Sequence, residues 1–417
     1  MVIEAIRDGD VAAVRRHLSA LPHEAQWGDE GRTVAGAVAL LGGPGFAQLL
    51  YESSTAVPSG PWGEIDPPVW AAEHGASELL KLLLHRYPAS EATLRRALDA
   101  ARAWLGVDPE AELRRRSGAA DGDAVTVERD HLTTDEYAPR ALRIRVRTAD
   151  GRWAEVLAGH RAVVTVLEQL LELPVTRDEL LARALWSADQ ESCDWSASRH
   201  AVMGRFPAEE TFRWAAGRLA DADVAVRRFT AELLHFSTLG GEAADAPYAA
   251  DALSVLRGRM AAETDTEALC SVLGAYAGFS ETGAILHEFL PFVQDPRPEV
   301  RGRVAGEILN GRGGPADDPP PHILETMLSL ARDRDPAVSA TATAALVYSP
   351  IDGPALRELL AARMAGDDRE VRIRAATGLA LRGDAHALAQ LRRMSDEDGY
   401  ESLAFHELDH VERMLAR

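Results

Sequence analysis

One segment recurs in the second half of this 417-residue chain, and its recurrence limits the possible folds more than any other feature. Each copy begins with acidic residues, continues through Val-Arg or a close variant, and ends as an apolar, alanine-rich helix. The clearest copy is residues 367–382, DDREVRIRAATGLALR, and the anchor valines are Val226, Val300, Val338 and Val371. The last two spacings are 38 and 33 residues, and the first, 74 residues, leaves room for a degenerate copy from Thr264. A period of roughly 30 to 45 residues predicts stacked pairs of helices.

The charges in the recurring segment predict internal contacts. Acids at its start favour a helix N-terminus, where the helix dipole stabilises negative charge. We expect these acids and the arginine that follows the valine to form a charge ladder between repeats: Asp221 or Asp223 with Arg227, Asp295 with Arg301, and Asp367 or Asp368 with Arg372. Ser339 replaces the arginine in the third copy, so the ladder is expected to be interrupted there.

The recurring segment resembles the HEAT-repeat family, including short bacterial versions with the same Asp-x-x-x-x-Val-Arg pattern, over about residues 190–395. In that family the second helix of each pair lines the concave surface of an α-solenoid. The resemblance therefore implies a groove that contains Arg303, Glu307, Asn310, Arg374 and Thr377, together with Thr230, Leu233, Ser237 and Leu381.

The first hundred residues contain a second periodicity. Gly9, Gly42 and Gly75 are 33 residues apart, and each lies between two apolar helical patterns. Glycine tolerates the positive φ of a tight turn, which predicts three helix–turn–helix units. These units resemble the ankyrin-repeat family over about residues 1–87, with Asp66-Pro67-Pro68 in place of the family's Thr-Pro-Leu. The sequences GPGFAQ (43–48) and PSGPWGEIDPP (58–68) are expected to be connecting loops.

Residues 106–159 interrupt the helical pattern. Period-two alternation at 124–129, 142–147 and 152–157, with a turn at 148–151, predicts a small antiparallel sheet. Leu142, Ile144 and Val146 are expected to face inward, which places Arg143, Arg145 and Arg147 on the outward face. Those arginines predict either an anion site or a solvated face that is paired with Glu128, Asp130 and Glu155.

Charge and composition exclude some functions. A net charge of −20 and a pI near 5.1 argue against nucleic acid and anionic membranes as partners, because both require a basic surface. The N-terminus lacks the pattern of a signal peptide, and no apolar run approaches the roughly 20 residues of a membrane span. Cys193 and Cys270 suit buried free thiols in a reducing compartment, so a cytoplasmic location is expected.

The sharpest catalytic motif is His406-Glu407-Leu408-Asp409-His410, whose histidines lie at the spacing of a zinc site on a helix. A zinc peptidase needs a third ligand downstream, and only seven residues follow His410, so we interpret the motif as part of a solvated terminal helix. Four tryptophans are candidate functional or core residues. Trp186, Trp195 and Trp214 are expected in the core, and Trp62 either anchors a peptide or fixes its own loop.

Together these patterns predict an all-α chain: an α-solenoid of helical hairpins, ankyrin-like and then HEAT-like, with a small antiparallel β insertion. The expected domains are residues 1–105, 106–159 and 160–417. We expect a non-catalytic scaffold that binds a protein or peptide through the concave face and the insertion, without cofactor or metal. The alternative is a solenoid enzyme, or the accessory subunit of one, with its site in the groove. The sequence leaves the oligomeric state and the partner's identity open.

Overall fold

The computed structural model describes residues 2–21, 26–27, 31–52, 62–86, 88–120, 122–132, 139–187, 189–239, 243–281, 284–311, 314–315, 319–400 and 402–416. These residues form two compact units: unit 1, Met1–Pro207, and unit 2, Ala208–Arg417. Both units are mainly helical, and unit 1 also contains a three-stranded antiparallel sheet. The prediction of a helical chain with a small antiparallel insertion is confirmed.

Unit 1 alternates short helices with a few strands. Its helices are α1 (Val2–Arg7), α2 (Val11–Ser19), α3 (Val34–Glu52), α4 (Pro67–Glu73), α5 (Ser77–Arg86), α6 (Glu91–Arg102), α7 (Pro109–Arg116), α8 (His160–Leu170), α9 (Arg177–Ala184) and α10 (Cys193–Arg205). Its strands are β1 (Gln26–Trp27), β2 (Arg32–Thr33), β3 (Val125–Leu132), β4 (Ala141–Thr148) and β5 (Trp153–Leu157).

The predicted glycine turns are present in two of the three N-terminal units. Gly9 and Gly75 have φ of 70° and 65° and separate α1 from α2 and α4 from α5. In the middle unit the positive φ falls on Gly43 instead of Gly42, and α3 continues through Pro44. The expected loop at 43–48 is therefore wrong, because proline fits the first turn of a new helical segment and the following residues are buried.

Helix α3 is also the helix in the described part of the chain that is long and apolar enough to cross a membrane. Its window Val34–Tyr51 has a mean hydropathy of 1.4, and 78% of it is buried. Burial of this kind is typical of a core helix, and the window packs into the main core of unit 1.

Gly75 lies where two backbone segments approach closely. The N–H of Leu157 donates to the carbonyl of His74 at 2.9 Å, which joins the α4–α5 turn to the end of β5. A Cβ atom on Gly75 would lie 1.9 Å from the carbonyl oxygen of Leu157. The glycine is therefore required by its positive φ and by the contact together.

The sheet has the order β3-β4-β5, as the alternation predicts. In its register Glu128 faces Arg145, Asp130 faces Arg143 and Arg145 faces Glu155. Ile144 and Val146 are buried with Trp104 and Leu113, so one face of the sheet packs on the helix α7 and the segment before it.

Trp62 is fully buried, and its Nε1 donates to the hydroxyl of Tyr51 at 3.2 Å. A peptide-anchoring role for this side chain is therefore wrong, and the alternative, in which it fixes its own loop, matches the contacts. Residues 58–61 of that predicted loop lie outside the described part of the chain.

Unit 2 contains α11 (Ala208–Ala216), α12 (Val224–Thr238), α13 (Ala249–Ala262), α14 (Thr266–Phe279), α15 (Pro298–Glu307), α16 (Pro321–Leu330), α17 (Pro336–Tyr348), α18 (Pro354–Met364), α19 (Arg369–Leu381), α20 (Ala385–Asp398) and α21 (Leu403–Leu415). Its short strands are β6 (Asn310–Gly311) and β7 (Gly314–Pro315). The helices of the recurring segment pack on one another in chain order, α12 on α14, α14 on α15, α15 on α17 and α17 on α19.

The acids that begin the recurring segment act as helix caps. Asp223, Asp335 and Asp368 each accept a backbone N–H at the start of α12, α17 and α19. Asp265 does the same for α14 in the degenerate copy. Such caps satisfy backbone donors that have no partner inside the helix.

The arginine ladder exists, but with partners other than those predicted. Arg301 donates to the Asp333 carboxylate at 2.8 and 2.9 Å, one copy further along the chain, and to the backbone carbonyl of Asp295 at 2.8 Å. Arg227 likewise binds Glu263 and the carbonyl of Asp221. The predicted side-chain pairs of Asp221 with Arg227 and of Asp295 with Arg301 are wrong. These aspartates instead accept backbone N–H groups in the turn that precedes their own helix, which we call the corner of the copy.

The third copy keeps a guanidinium in its corner although Ser339 replaces the arginine. Arg363, which is on α18, donates to the carbonyl of Ala331 at 2.6 Å and also to the hydroxyl of Ser339. The hydroxyl of Ser339 itself donates to the same carbonyl at 2.7 Å. A neighbouring helix thus supplies the charge that the recurring segment lacks there.

Arg382 ends the copy that most clearly shows the pattern. Its guanidinium is partly buried and donates to five backbone carbonyls, those of Leu346, Val347, Ser349, Ile351 and Gly378. Four of these carbonyls belong to the end of α17 and the residues that follow it. The side chain therefore satisfies acceptors at the end of α17 that have no partner within that helix.

Candidate functional site

The predicted anion-binding face consists of Arg143, Arg145 and Arg147 on β4, and two of these three arginines have internal partners. Arg143 donates to Asp130 on β3 at 2.8 and 2.6 Å. Arg145 donates to Glu155 on β5 at 2.7 Å. Arg147 is exposed and makes no hydrogen bond to the residues that the structure describes. The contacts match the alternative prediction, in which the arginines pair with acids across the ladder.

The kink of α3 also covers this face. The backbone N–H of Gly45 donates to the Glu155 carboxylate at 2.8 Å, and the Glu155 side chain is completely buried. Burial raises the pKa of Glu155, although the charge of Arg145 lowers it in part. The expectation of an outward arginine face is therefore wrong for Arg143 and Arg145, because the glycines around Pro44 allow the α3 backbone to pack there.

A groove of about 430 Å³ lies on α14, α15 and α17; we call it the unit 2 groove. Arg303 and Glu307, two of the predicted groove residues, line it together, and Arg303 donates to Glu307 at 3.2 Å. Gly302 and Gly306 keep the α15 side of the groove open. A Cβ atom on Gly306 would lie 3.5 Å from its nearest neighbour, the side chain of Thr341, which is ordinary contact distance.

The electrostatics of the unit 2 groove suit binding better than chemistry. Burial raises the pKa of the Glu307 carboxyl, which Arg303 partly offsets. Burial also raises the pKa of the Cys270 thiol to about 11, so the thiol remains protonated near neutral pH. A reactive cysteine needs the opposite shift. Glu299, at the edge of the groove, is exposed and hydrogen-bonds to no described side chain.

The other predicted groove residues do not join this site. Thr377 is fully buried, and its hydroxyl donates to the carbonyl of Ile373 at 3.0 Å. Arg374 forms an ion pair with Glu370 at 2.6 Å on the surface of α19. Asn310 lies in β6, and its side chain is outside the described part of the structure.

The buried positions show why the helical-wheel assignment is partly wrong. Helices of the recurring segment have packing neighbours on two sides, so a wider arc of each helix is buried than in a helix with one contact face. Thr230 and Leu233 are buried for this reason, whereas Ser237 is exposed and Leu381 is half-buried.

The His-Glu-x-x-His motif lies on α21. Glu407 is buried and accepts a hydrogen bond from the hydroxyl of Tyr348, whereas His406 is exposed. The glutamate is therefore used in a contact between α21 and the last residue of α17. Among the described residues no three His, Cys, Asp or Glu side chains are grouped as metal ligands.

A second cavity, of about 740 Å³, lies in unit 1 among the segments that follow α6 and α9, the start of α7, the sheet, and the first turns of α8 and α10. We call it the tryptophan pocket, because Trp104 and Trp186 both line it. Trp186 is 66% exposed, so its predicted place in the core is wrong, whereas Trp195 is fully buried as expected and Trp214 is half-buried. The sequence gives one signal for this difference: Trp186 follows the last helical residue of α9, Ala184, and so lies outside the amphipathic period.

Neither a protein-family model nor a curated protein matches this chain. Among solved structures, the X-ray structure of YibA from Escherichia coli is similar at 18% identity and a TM-score of 0.42. The match covers 56% of this chain and 82% of YibA.

Proposed function

We propose that this chain is a non-catalytic, cytoplasmic helical-repeat protein that binds a peptide segment of a partner protein in the unit 2 groove. In this proposal residues 190–395 form a HEAT-type solenoid, and about residues 1–87 form ankyrin-type repeats. The chain-order packing of α12, α14, α15, α17 and α19 supports the first assignment, since each unit of a solenoid contacts its neighbours along the chain. The helix–turn–helix geometry at Gly9 and Gly75 supports the second.

The observation that carries the functional proposal is the unit 2 groove itself. It lies on three successive helices of the recurring segment, and the two α15 glycines leave space that a partner's side chain can fill. The Arg303–Glu307 pair presents both a donor and an acceptor at the same place. A groove of packed helices with a few fixed polar groups is a common form of peptide site.

Charge favours a basic peptide. The exposed carboxylate of Glu299 has no described hydrogen-bond partner at the edge of the groove. Residues 208–417 contain 22 arginines and no lysine against 34 acids, which gives a net charge of −12. Complementary charge raises association rates and disfavours acidic competitors.

The test is selection from a library of random peptides displayed on phage, with the full-length chain as the target. Affinities of the selected peptides are then measured by fluorescence anisotropy for the wild type and for Gly306→Leu, which fills the groove. Gly258→Leu is the matched control, because Gly258 is an exposed helical glycine with nothing within 4 Å of its Cβ position.

We expect basic peptides to be selected, and Gly306→Leu to weaken their binding by about tenfold or more, since loss of a central contact typically costs 1 to 2 kcal/mol or more. Gly258→Leu should leave the affinity unchanged. Glu299→Gln should weaken the binding and reduce its dependence on salt. Equal affinity of the wild type and Gly306→Leu would exclude the groove as the site.

A further inference from the structure

The tryptophan pocket contains an arginine whose side-chain donors have no hydrogen-bond acceptor among the described residues. Arg161, in the first turn of α8, places its guanidinium carbon 3.6 Å from the centre of the Trp186 ring. This distance is van der Waals contact, and a guanidinium that stacks on an aromatic face keeps its N–H groups directed outward at its edge. The Arg161 side chain makes no hydrogen bond to any residue that the structure describes.

The other charged side chains around the pocket already have partners. Asp194 accepts the N–H of Ala162 at 2.7 Å, and Asp108 accepts the N–H of Glu110 at 3.1 Å. The remaining two are Asp189, which accepts the N–H of Glu191 at 3.0 Å, and Arg140, which pairs with the Glu191 carboxylate. Arg161 is therefore the arginine of the lining whose guanidinium has no hydrogen-bonded partner among the described residues.

The nearest carboxylate does not occupy those donors. Asp194 attracts Arg161 electrostatically, but its side chain is only 4% exposed and its hydrogen bond goes to the α8 backbone. The Asp194 carboxylate thus helps to hold the arginine at this end of the pocket without capping it. An anion from solvent can approach the free edge of the guanidinium.

Another part of the lining is aromatic and flat. The His160 ring stacks on Trp104 with 4.9 Å between ring centres and 14° between their planes. Burial lowers the pKa of His160 to about 4, so the ring is neutral at physiological pH. Val107 and Leu142 add apolar surface to the same cavity. Such a lining suits the body of a planar organic molecule.

We propose that the tryptophan pocket binds a small planar organic carboxylate, whose carboxylate accepts hydrogen bonds from Arg161 and whose ring packs on the aromatic lining. Arginine matches a carboxylate with two parallel N–H donors, which gives both affinity and orientation. The cavity volume of about 740 Å³ is in the range of small-molecule sites. This site is independent of the peptide groove in unit 2.

Isothermal titration calorimetry on the full-length chain tests the proposal with benzoate, 2-naphthoate and indole-3-carboxylate, each compared with its neutral primary amide. We expect at least one carboxylate to bind, and to bind about tenfold or more tighter than its amide, because a hydrogen bond between two charged groups is stronger than one to a neutral amide. Arg161→Gln should remove this preference. Trp186→Leu should weaken the carboxylate and the amide alike.

The matched control is Arg218→Gln, which disrupts another arginine–tryptophan stack, on Trp214 in unit 2, and should leave carboxylate binding unchanged. Circular dichroism of each variant checks that its fold is retained. Three results would overturn the proposal: no probe binds, each amide binds as tightly as its acid, or Arg161→Gln binds like the wild type.

Discussion

Replacing Asp194 with asparagine should stabilise the protein, and by more as the pH rises. Asp194 is buried at the start of α10, and its side chain caps the first turn of α8, where Gly159 provides no side-chain acceptor. The charged groups that face it are Arg161 on α8 and Arg183 on α9. Asparagine keeps an oxygen for the N–H of Ala162 and carries no charge that must be desolvated.

The magnitude follows from the pKa of Asp194. Burial raises it from 3.8 to about 6, even though the hydrogen bond from Ala162 and the two arginines lower it in part. The folded-state pKa of Asp194 lies above its unfolded-state pKa. The contribution of this carboxyl to the free energy of unfolding is therefore fully present below pH 3.8 and is lost as the pH rises through about 6. The difference between the two pKa values means that ionised Asp194 destabilises the folded state by about 3 kcal/mol at pH 8 and by about 1.5 kcal/mol at pH 5.

Urea unfolding followed by tryptophan fluorescence measures this effect, since seven of the eight tryptophans precede Pro207 and report on unit 1. The gain of Asp194→Asn over the wild type should rise from about 1.5 kcal/mol at pH 5 to about 3 kcal/mol at pH 8. Asp194→Ala, which also removes the cap, should be less stable than Asp194→Asn at both values. A gain that does not change with pH, or an asparagine variant that is less stable at pH 8, would refute the reasoning.

Two further substitutions, one in each unit and each with a control, test the packing. Gly75→Ala should lower the free energy of unfolding of unit 1 by about 3 kcal/mol or more, because the new Cβ atom would overlap the Leu157 carbonyl oxygen. The control Gly151→Ala, at an open hairpin tip, should lower it by only about 1 kcal/mol. The same fluorescence assay measures both, and equal losses would contradict the close-contact explanation. Arg382→Met should lower the free energy of unfolding of unit 2 by about 3 kcal/mol, because five backbone carbonyls lose their donor. The control Arg393→Met, at an exposed position, should change it by less than about 0.5 kcal/mol. Thermal melting followed by circular dichroism checks this pair.

Local patterns were sufficient to predict the helices of the recurring segment and the sheet. Alternation along 142–147 placed Ile144 and Val146 correctly, and the acids opposite Arg143 and Arg145 were identified from their spacing. These features depend on neighbours in sequence or on one hairpin. The covering of the arginine face depends instead on Gly45, about a hundred residues away, and no local pattern contains that information.

The groove shows the same division between local and distant information. Arg303 and Glu307 are one helical turn apart, so their shared position on α15 follows from sequence alone. The burial of Thr377 follows from helices that pack on both sides of α19. The tryptophan pocket is built from the segments that follow α6 and α9, the starts of α7, α8 and α10, and the sheet. Helical periodicity predicts one buried face, but it does not predict how many neighbours a helix has.

The corner at Ser339 has a consequence for how repeats of this kind are recognised. A sequence pattern that requires arginine directly after the anchor valine does not match the third copy, because Ser339 stands at that position. In the folded chain, however, the positive charge is present and comes from Arg363, 24 residues later. In each of the four clear copies an arginine donates to a backbone carbonyl in the turn before the helix, although the position that encodes this arginine differs. Repeat units that appear degenerate in sequence can therefore be complete in three dimensions, and a search that scores charge supplied by the following helix should recover units that a positional pattern misses.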